Sequence, residues 1–216
     1  RLVGSEMCIR DRSNLTTGSA IYFMKHVLGN GSLLGLFSMM KMFPVIIALI
    51  FTPILVKKTG SMQKVNFWGY VISDILGIFL IIFAMQKNLP MMLLFMFLKG
   101  TFAGTMSGTL NALIAEISGY TYRTKGVHID GMMFSCSSLG VKVGGGIGTA
   151  AVGWLLHAAG YAGKAATQTA AATNMIFSMY ITIPVILGVV ITILLGLMKV
   201  EKENKRIDME RAEQAD

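Results

Sequence analysis

Five long apolar segments, each about long enough to cross a lipid bilayer, dominate this sequence. They lie at residues 32–56, 66–85, 91–117, 131–157 and 174–198. Because the hydrocarbon core contains no water, a crossing segment must satisfy its own backbone hydrogen bonds, and about 20 apolar residues do so as a helix. The sequence therefore predicts an all-α integral membrane protein.

The composition supports this prediction and excludes other classes. Hydrophobic residues make up 54% of the chain and charged residues only 14%, which is too apolar for an ordinary soluble domain. The net charge of +8 does not indicate a nucleic-acid partner, because the basic residues lie mainly in short connections between apolar segments. Two cysteines and three histidines in separate segments predict no disulfide framework, no metal site and no cofactor.

Both ends of the chain differ from the apolar segments. Residues 1–12, RLVGSEMCIRDR, are charged and aperiodic; they look like translated sequencing-adapter read-through, and we exclude them from reasoning about the fold. Residues 14–28 are too short to cross a bilayer alone, so we interpret them as the end of a truncated first helix. Residues 199–216 mix both charges and predict a solvated tail. The predicted bundle covers residues 13–198.

The basic residues indicate the orientation of the chain in the membrane. When alternate connections are assigned to alternate sides, one side holds Lys87 and Lys164. The other side holds ten basic residues, namely Lys57, Lys58, Lys64, Arg123, Lys125, Lys199, Lys202, Lys205, Arg206 and Arg211. Because connections rich in lysine and arginine stay in the cytoplasm, this second side and the C-terminus are expected inside.

Lys142 lies near the middle of the segment at residues 131–157. A charged side chain half-way across a membrane is unfavourable by several kcal/mol unless it faces water or a partner. This lysine is too far from either end of the segment to reach an interface. We therefore expect Lys142 to line a path for a solute.

Two glycine ladders accompany the charges inside the segments. In each ladder three glycines are four residues apart and share one helix face, which lets another helix approach closely. The ladders are Gly100, Gly104 and Gly108, and Gly140, Gly144 and Gly148.

The remaining charges form a candidate network. From a rise of 1.5 Å per residue, Asp74 lies about 12 Å from the cytoplasmic end of its helix and Lys99 about 12 Å from the outer end of the next. In a core about 30 Å thick, a lysine side chain can span the difference in depth, so we expect the two to lie within reach of each other. Such a pair is either structural or functional, because buried charges are paired in both cases. Lys41 and Lys142 have no carboxylate at comparable depth, and Glu116 lies near the cytoplasmic mouth. These two lysines imply an anionic solute, or carboxylates from protein outside this chain.

Several short motifs resemble those of one transporter family. They are Tyr22-Phe23 with Gly29 at the end of the first helix, Ile114-Ala115-Glu116 followed by Tyr120, Gly126, Asp130 and Gly131, Lys142-Val143-Gly144-Gly145, and Gly160-Tyr161. With six helices, a basic connection after the second and a polar cytoplasmic link at residues 118–130, the chain resembles the C-terminal half of the melibiose permease-like glycoside–pentoside–hexuronide:cation symporters. These belong to the major facilitator superfamily.

This resemblance implies what the complete carrier does. A sugar or sugar acid and a coupling Na⁺ or H⁺ would cross the cytoplasmic membrane of a bacterium by alternating access between two halves. The missing N-terminal half would be the partner of this chain and would hold most ligands of the cation. The sugar-facing positions of this half would be Ser107, Ser137, Ser138, Val141 and Lys142.

The sequence departs from the family at several of these places. Gly119 and Tyr122 stand where acidic residues are usual in the link, and His128 stands where arginine is common. Ser107 replaces an aromatic residue that would stack on the sugar. The departures imply an altered cytoplasmic network and either a different sugar or a different packing of it.

Two other functions are compatible with these residues. Ser138 and Lys142 are one helical turn apart, a spacing that a serine nucleophile and a lysine base can use. No oxyanion donor is evident in the sequence, so we do not predict an enzyme. The other alternative is a membrane sensor or partner-binding protein on the same scaffold, because a fold does not fix function. Solute flux distinguishes a carrier from such a sensor.

Overall fold

The chain folds into a bundle of helices in the structure, a computed structural model that describes residues 2–163, 165, 167–197 and 206. In chain order the helices are α1 (Leu2–His26), α2 (Leu33–Thr59), α3 (Met62–Met85), α4 (Leu89–Ala103), α5 (Thr105–Lys125), α6 (Asp130–Ala158), α7 (Ala170–Phe177) and α8 (Ile183–Gly196). The predicted tail, apart from position 206, lies outside the described residues.

Membrane-crossing helices make up most of this bundle. Within the described residues, five helical stretches are long and apolar enough to cross a membrane: α2, α3, α4 with α5, α6, and α7 with α8. Large apolar side chains such as Met42, Ile50, Trp68 and Trp154 are exposed on their outer faces, as expected of surfaces that meet lipid. The predicted all-α, multi-pass membrane fold is confirmed.

Glycine residues end two of the helices. Gly60 after α2 (φ 65°) and Gly126 after α5 (φ 69°) adopt left-handed backbone conformations, which a Cβ would strain. Their N–H groups donate to the carbonyls of Val56 and Tyr122, each at 2.8 Å. Because the chain leaves the helical conformation only at Gly126, α5 continues into the predicted polar link and reduces it to residues 126–129.

The fourth predicted segment, residues 91–117, is divided into α4 and α5 at Gly104. A Cβ at Gly104 would lie 2.7 Å from Ala48 Cβ and 3.3 Å from Val45 Cα of α2, so glycine is required for this approach of the two backbones. The backbone N–H of Ser107 donates to the Gly104 carbonyl at 3.0 Å, which is the tighter spacing of a 3₁₀ turn. The sequence predicted the glycine ladder but not this break.

The last predicted segment, residues 174–198, begins earlier in the structure and is irregular. Thr169 caps α7, because its hydroxyl oxygen accepts a hydrogen bond from the backbone N–H of Ala172 at 3.2 Å. A π-helical turn, Ser178–Thr182, separates α7 from α8. Pro184 lies two residues after this turn. It has no N–H, and its ring excludes the carbonyl four residues earlier, so the wider turn relieves the conflict.

The helices pack around two clusters of buried apolar side chains. Helix α1 lies along α6 and α8, α3 lies against α4 and α8, and α2 lies against α4 and α5. The large core cluster includes Phe23, Phe37, Leu80, Met92, Ile176 and Ile181. The small core cluster includes Tyr70, Met106, Leu113, Ile114, Ile191 and Leu195. The parts of α3, α4 and α8 between these clusters carry polar residues.

Candidate functional site

A cavity of about 200 Å³ lies between α1, α2, α3 and α4 and is partly open to the surface. An adjoining recess of about 310 Å³ shares Thr16, Lys41 and Tyr180 with it. We call the two together the lysine cleft, because Lys41 and Lys99 line it. Its other polar lining residues include Ser13, Thr17, Ser38, Tyr70 and Ser107.

Lys41 of α2 is oriented by α1. Its Nζ donates a hydrogen bond to Thr17 Oγ1 at 2.7 Å, and Thr17 Oγ1 donates to the backbone carbonyl of Ser13 at 2.8 Å. Among the described residues, the hydrogen-bond partner of Lys41 is therefore a hydroxyl group and not a carboxylate. Because an ammonium group carries three N–H donors, this contact leaves donors of Lys41 for water or a solute in the cleft.

The first glycine ladder brings Lys99 and Ser107 to the same cleft. Its members Gly100 and Gly104 themselves line the cleft. The close contact of Gly104 with Ala48 holds this part of α4 and α5 against α2, which carries Lys41. Lys99, which precedes Gly100, and Ser107, which lies between Gly104 and Gly108, then line the cleft with the first two glycines.

Asp74 and Lys99 are both buried, each with 7% of its surface exposed, but they do not form the expected direct pair. Asp74 Oδ2 accepts a hydrogen bond from Thr192 Oγ1 of α8 at 2.7 Å. Lys99 Nζ lies beside Gly77, 3.1 Å from the position that a Cβ would take there. Within the part of the chain that the structure describes, no hydrogen bond joins the two charged groups. They lie at one level, but their side chains point to different neighbours.

The second glycine ladder faces α1. Gly140, Gly144 and Gly148 are all buried, and a Cβ at Gly148 would lie 3.1 Å from Asn14 Cβ. The absence of a side chain at Gly148 therefore lets α1 and α6 approach closely at this position.

The residues around Lys142 lie apart from the lysine cleft. Lys142 and Ser138 are on the exposed face of α6, Val141 is half-buried and Ser137 is buried. Among the described residues, no hydrogen bond joins Ser138 to Lys142, and none of these four residues lines the cleft. Of the five sugar-facing positions that the resemblance implies, only Ser107 is at this cleft. The assignment of all five to sugar binding stays a prediction.

The predicted polar link at residues 118–130 contains a small polar cluster of its own. The rings of Tyr122 and His128 stack with their centroids 4.0 Å apart. His128 Nδ1 lies 3.7 Å from Asp130 Oδ2. Two of the residues that depart from the family pattern therefore contact each other. Glu116 is half-buried in α5, and it is not among the described residues that line the lysine cleft.

Two hydroxyl residues that bond the charged groups, Thr192 and Thr17, were not predicted from the sequence. Thr192 is the only hydroxyl residue in the sequence of α8, and a lone hydroxyl in an otherwise apolar helix is a signal that could have identified it. Thr17 carries no such signal, because its contact with Lys41 depends on how α1 packs against α2.

Arg12 also reaches the lysine cleft. Its Cζ atom lies 5.8 Å from the centre of the Tyr70 ring, within the range of a cation–π interaction. Because residues 1–12 resemble adapter-derived sequence, we assign no function to Arg12.

Comparison with known proteins identifies similar sequences along most of the chain. The model of the family described as MFS/sugar transport protein matches residues 13–202. The isoprimeverose transporter of Lactiplantibacillus pentosus is 27% identical over 194 residues, which is 90% of this chain and 39% of that protein. The putative glycoside/cation symporter YagG of Escherichia coli (strain K12) is 25% identical over 211 residues, 94% of this chain and 45% of that protein.

A third relative also matches most of this chain. The uncharacterized 29.9 kDa protein in the crtE 3' region of Pseudescherichia vulneris is 26% identical over 174 residues, 79% of this chain and 62% of that protein. The matched part of the chain thus spans between 39% and 62% of the length of these three relatives.

Proposed function

Because this chain belongs to the MFS/sugar transport protein family, we propose that it is part of a secondary active carrier that moves a sugar together with a cation by alternating access. The names of two relatives, an isoprimeverose transporter and a putative glycoside/cation symporter, support a glycoside as the substrate class. Under this proposal the carrier lies in the cytoplasmic membrane with its C-terminus inside.

The lysine cleft is the observation that carries this proposal. Lys41 and Lys99 lie inside a bundle of membrane-crossing helices, where a charge is unfavourable unless it meets water or a partner. Hydroxyl groups of Thr16 and Ser107 line the same space. Such a mixture of ammonium and hydroxyl groups suits a solute with many hydroxyl groups or with a carboxylate.

The proposed site extends beyond this chain. The chain matches only 39% and 45% of the length of the two transporters named above, so further residues of the carrier would line the site. Ser135, Ser138, Lys142 and Thr149 form a polar stripe on the exposed face of α6, because their spacings of three, four and seven residues return to one side of a helix. We infer that this stripe faces a hydrated route completed by an N-terminal half, which would also hold most ligands of the coupling Na⁺ or H⁺.

Sugar uptake into proteoliposomes by the full-length protein tests the proposal. Lys142→Ala and Lys41→Ala are each expected to reduce uptake roughly tenfold or more, because loss of one charged hydrogen bond costs about 1.5–3 kcal/mol. Lys125→Ala, at the exposed end of α5, is the matched control and should change uptake little. The panel of substrates includes neutral glycosides and sugar acids.

The outcomes of this experiment separate the candidate functions. Uptake that is undiminished in Lys142→Ala contradicts a sugar-contacting role for that residue. Sugar binding without any flux in the unmodified protein contradicts the carrier and identifies a sensor on the same scaffold.

A further inference from the structure

A polar layer crosses the bundle between the two core clusters. In α3, Asp74 lies between Tyr70 of the small core cluster and Leu80 of the large core cluster. Lys99 occupies the corresponding place in α4, between Met92 and Met106. Charged groups of both signs are thus placed at one level, with apolar clusters on either side.

The carboxyl group of Asp74 fits into a space left by a glycine of α8. A Cβ at Gly188 would overlap Asp74 Oδ1, so the absence of a side chain there admits the carboxyl group. Oδ2 accepts a hydrogen bond from Thr192 Oγ1. Oδ1 is buried and has no hydrogen-bond partner within the described part of the chain. Among the described residues, one oxygen of this carboxyl group therefore accepts a hydrogen bond, and the other is buried without one.

The charged and titratable groups around Asp74 come from three helices. Lys99 of α4 is the cation on one side, Tyr70 lies one turn earlier on α3, and Arg12 of α1 is near Gly188. The sequence of α8 contains no charged residue. Since residues 1–12 resemble adapter-derived sequence, the argument rests on Asp74, Lys99 and Thr192.

A buried carboxylate with an open oxygen and no direct cation partner is unfavourable as an ion. A proton on Oδ1 removes the charge, and the Thr192 bond to Oδ2 is kept. Lys99 lines the lysine cleft and Asp74 does not, so the hydration of the cleft would act on Asp74 through Lys99. A hydrated cleft and the Lys99 ammonium favour the ionised carboxylate, whereas a dry cleft favours the protonated one.

We propose that Asp74 is a proton-binding site of this half of the carrier, and that Oδ1 takes up and releases one proton in each transport cycle. In the uptake step, a carboxylate and a hydronium ion give a carboxylic acid and water; the release step is the reverse. The inference rests on the proposed carrier function and adds a proton site in this half to any cation ligands held elsewhere.

Transport measurements on the full-length protein in proteoliposomes test the coupling. A potential of about 100 mV, inside negative, supplies one coupled proton with enough free energy for a roughly 40-fold sugar gradient. The unmodified protein should accumulate sugar toward this limit, while Asp74→Asn should reach only an accumulation ratio of about 1. Asp74→Asn should retain sugar exchange across the membrane, which shows that it is folded. Asp208→Asn, in the predicted tail, is the matched carboxylate control and should behave like the unmodified protein.

Proton movement is measured in the same vesicles. Adding sugar to the outside should make a weakly buffered medium more alkaline with the unmodified protein and with Asp208→Asn, but not with Asp74→Asn. Continued alkalinisation by Asp74→Asn overturns the proposal, and so does accumulation driven by a Na⁺ gradient without any proton movement.

An infrared measurement tests the proton site without relying on transport. The reconstituted protein should show a carboxylic acid C=O band that disappears as the pH is raised and that is missing in Asp74→Asn. If that band is unchanged by the substitution, the proton site is wrong even when transport is observed. If the band behaves as expected but no sugar is moved, the carrier function is wrong and the proton site stands.

Discussion

At the scale of single residues, glycine determines how closely the helices approach. Positions 100, 104 and 108 all face α2, and a Cβ at Gly108 would lie 3.1 Å from Leu49 Cδ2. Gly77 and Gly188 instead leave room for charged groups, namely Lys99 Nζ and Asp74 Oδ1. Glycine therefore allows two helix backbones to approach in one place and leaves space for a buried charged group in another.

Replacing Gly104 by alanine should destabilise the protein. The new Cβ would lie 2.7 Å from Ala48 Cβ and 3.0 Å from the Gly100 carbonyl oxygen, so one helix must shift, at a cost of about 1–3 kcal/mol. We expect a lower thermal unfolding midpoint for the detergent-solubilised full-length protein.

Gly146→Ala is the matched control for this substitution. No heavy atom lies within 4 Å of the position its Cβ would take. Removal of a helix glycine should leave the midpoint unchanged or raise the stability by about 0.5–1 kcal/mol. Equal midpoints for the two variants would contradict the packing of α4 and α5 on α2.

At the scale of helices, α6 has two different faces. Its glycine ladder is buried against α1, while its polar stripe, which contains Lys142, is exposed. A helix whose two sides face such different surroundings is expected between a packed half and a hydrated route. The position of α1 on α6 therefore decides which way Lys142 points.

A disulfide between α1 and α6 should form in the variant Asn14→Cys with Gly148→Cys. The Cβ positions are 3.1 Å apart, and a small shift gives the roughly 3.5–4.5 Å that a disulfide needs. All other cysteines of the protein are replaced by serine, and a protease site is inserted between α3 and α4. After oxidation and cleavage, the fragments should stay joined until a reductant is added.

The pair Asn14→Cys with Gly146→Cys provides the negative control. Gly146 points away from α1, with open space around its Cβ position, so its fragments should separate without reductant. Joined fragments in the control, or separated fragments in the test pair, would contradict the packing of α1 on α6.

At the scale of the whole molecule, the basic connections predict the orientation in the membrane. Thr59 lies at the end of α2 beside Lys57 and Lys58, whereas Gln86 lies in the opposite connection. Gln86→Cys should react with a membrane-impermeant maleimide in intact cells, because the positive-inside rule places that connection outside. Thr59→Cys should react only after the membrane is permeabilised. The reverse pattern of labelling would overturn the proposed cytoplasmic C-terminus.

The sequence predicted the helices better than their exact ends. Apolar length alone located the membrane-crossing stretches, because the need to satisfy backbone groups in lipid is a local constraint. The break at Gly104 and the extension of α5 to Lys125 were not predictable in this way. The break accompanies the contact of Gly104 with α2, which forms only when the helices pack. The extension ends at the left-handed Gly126, a local signal that apolar length does not include.

What the sequence by itself determined is the class of the protein and the depth of its charges. Depth follows from a fixed rise per residue, so Asp74 and Lys99 could be placed at one level. Only the tertiary structure decided that Thr192 is the partner of Asp74, and that Lys41 and Lys99 share a cleft from which Lys142 is separate. The physical reason is that the surroundings of a side chain depend on which helices pack against its own helix. That packing is determined by glycine-lined faces on helices that are distant in the sequence.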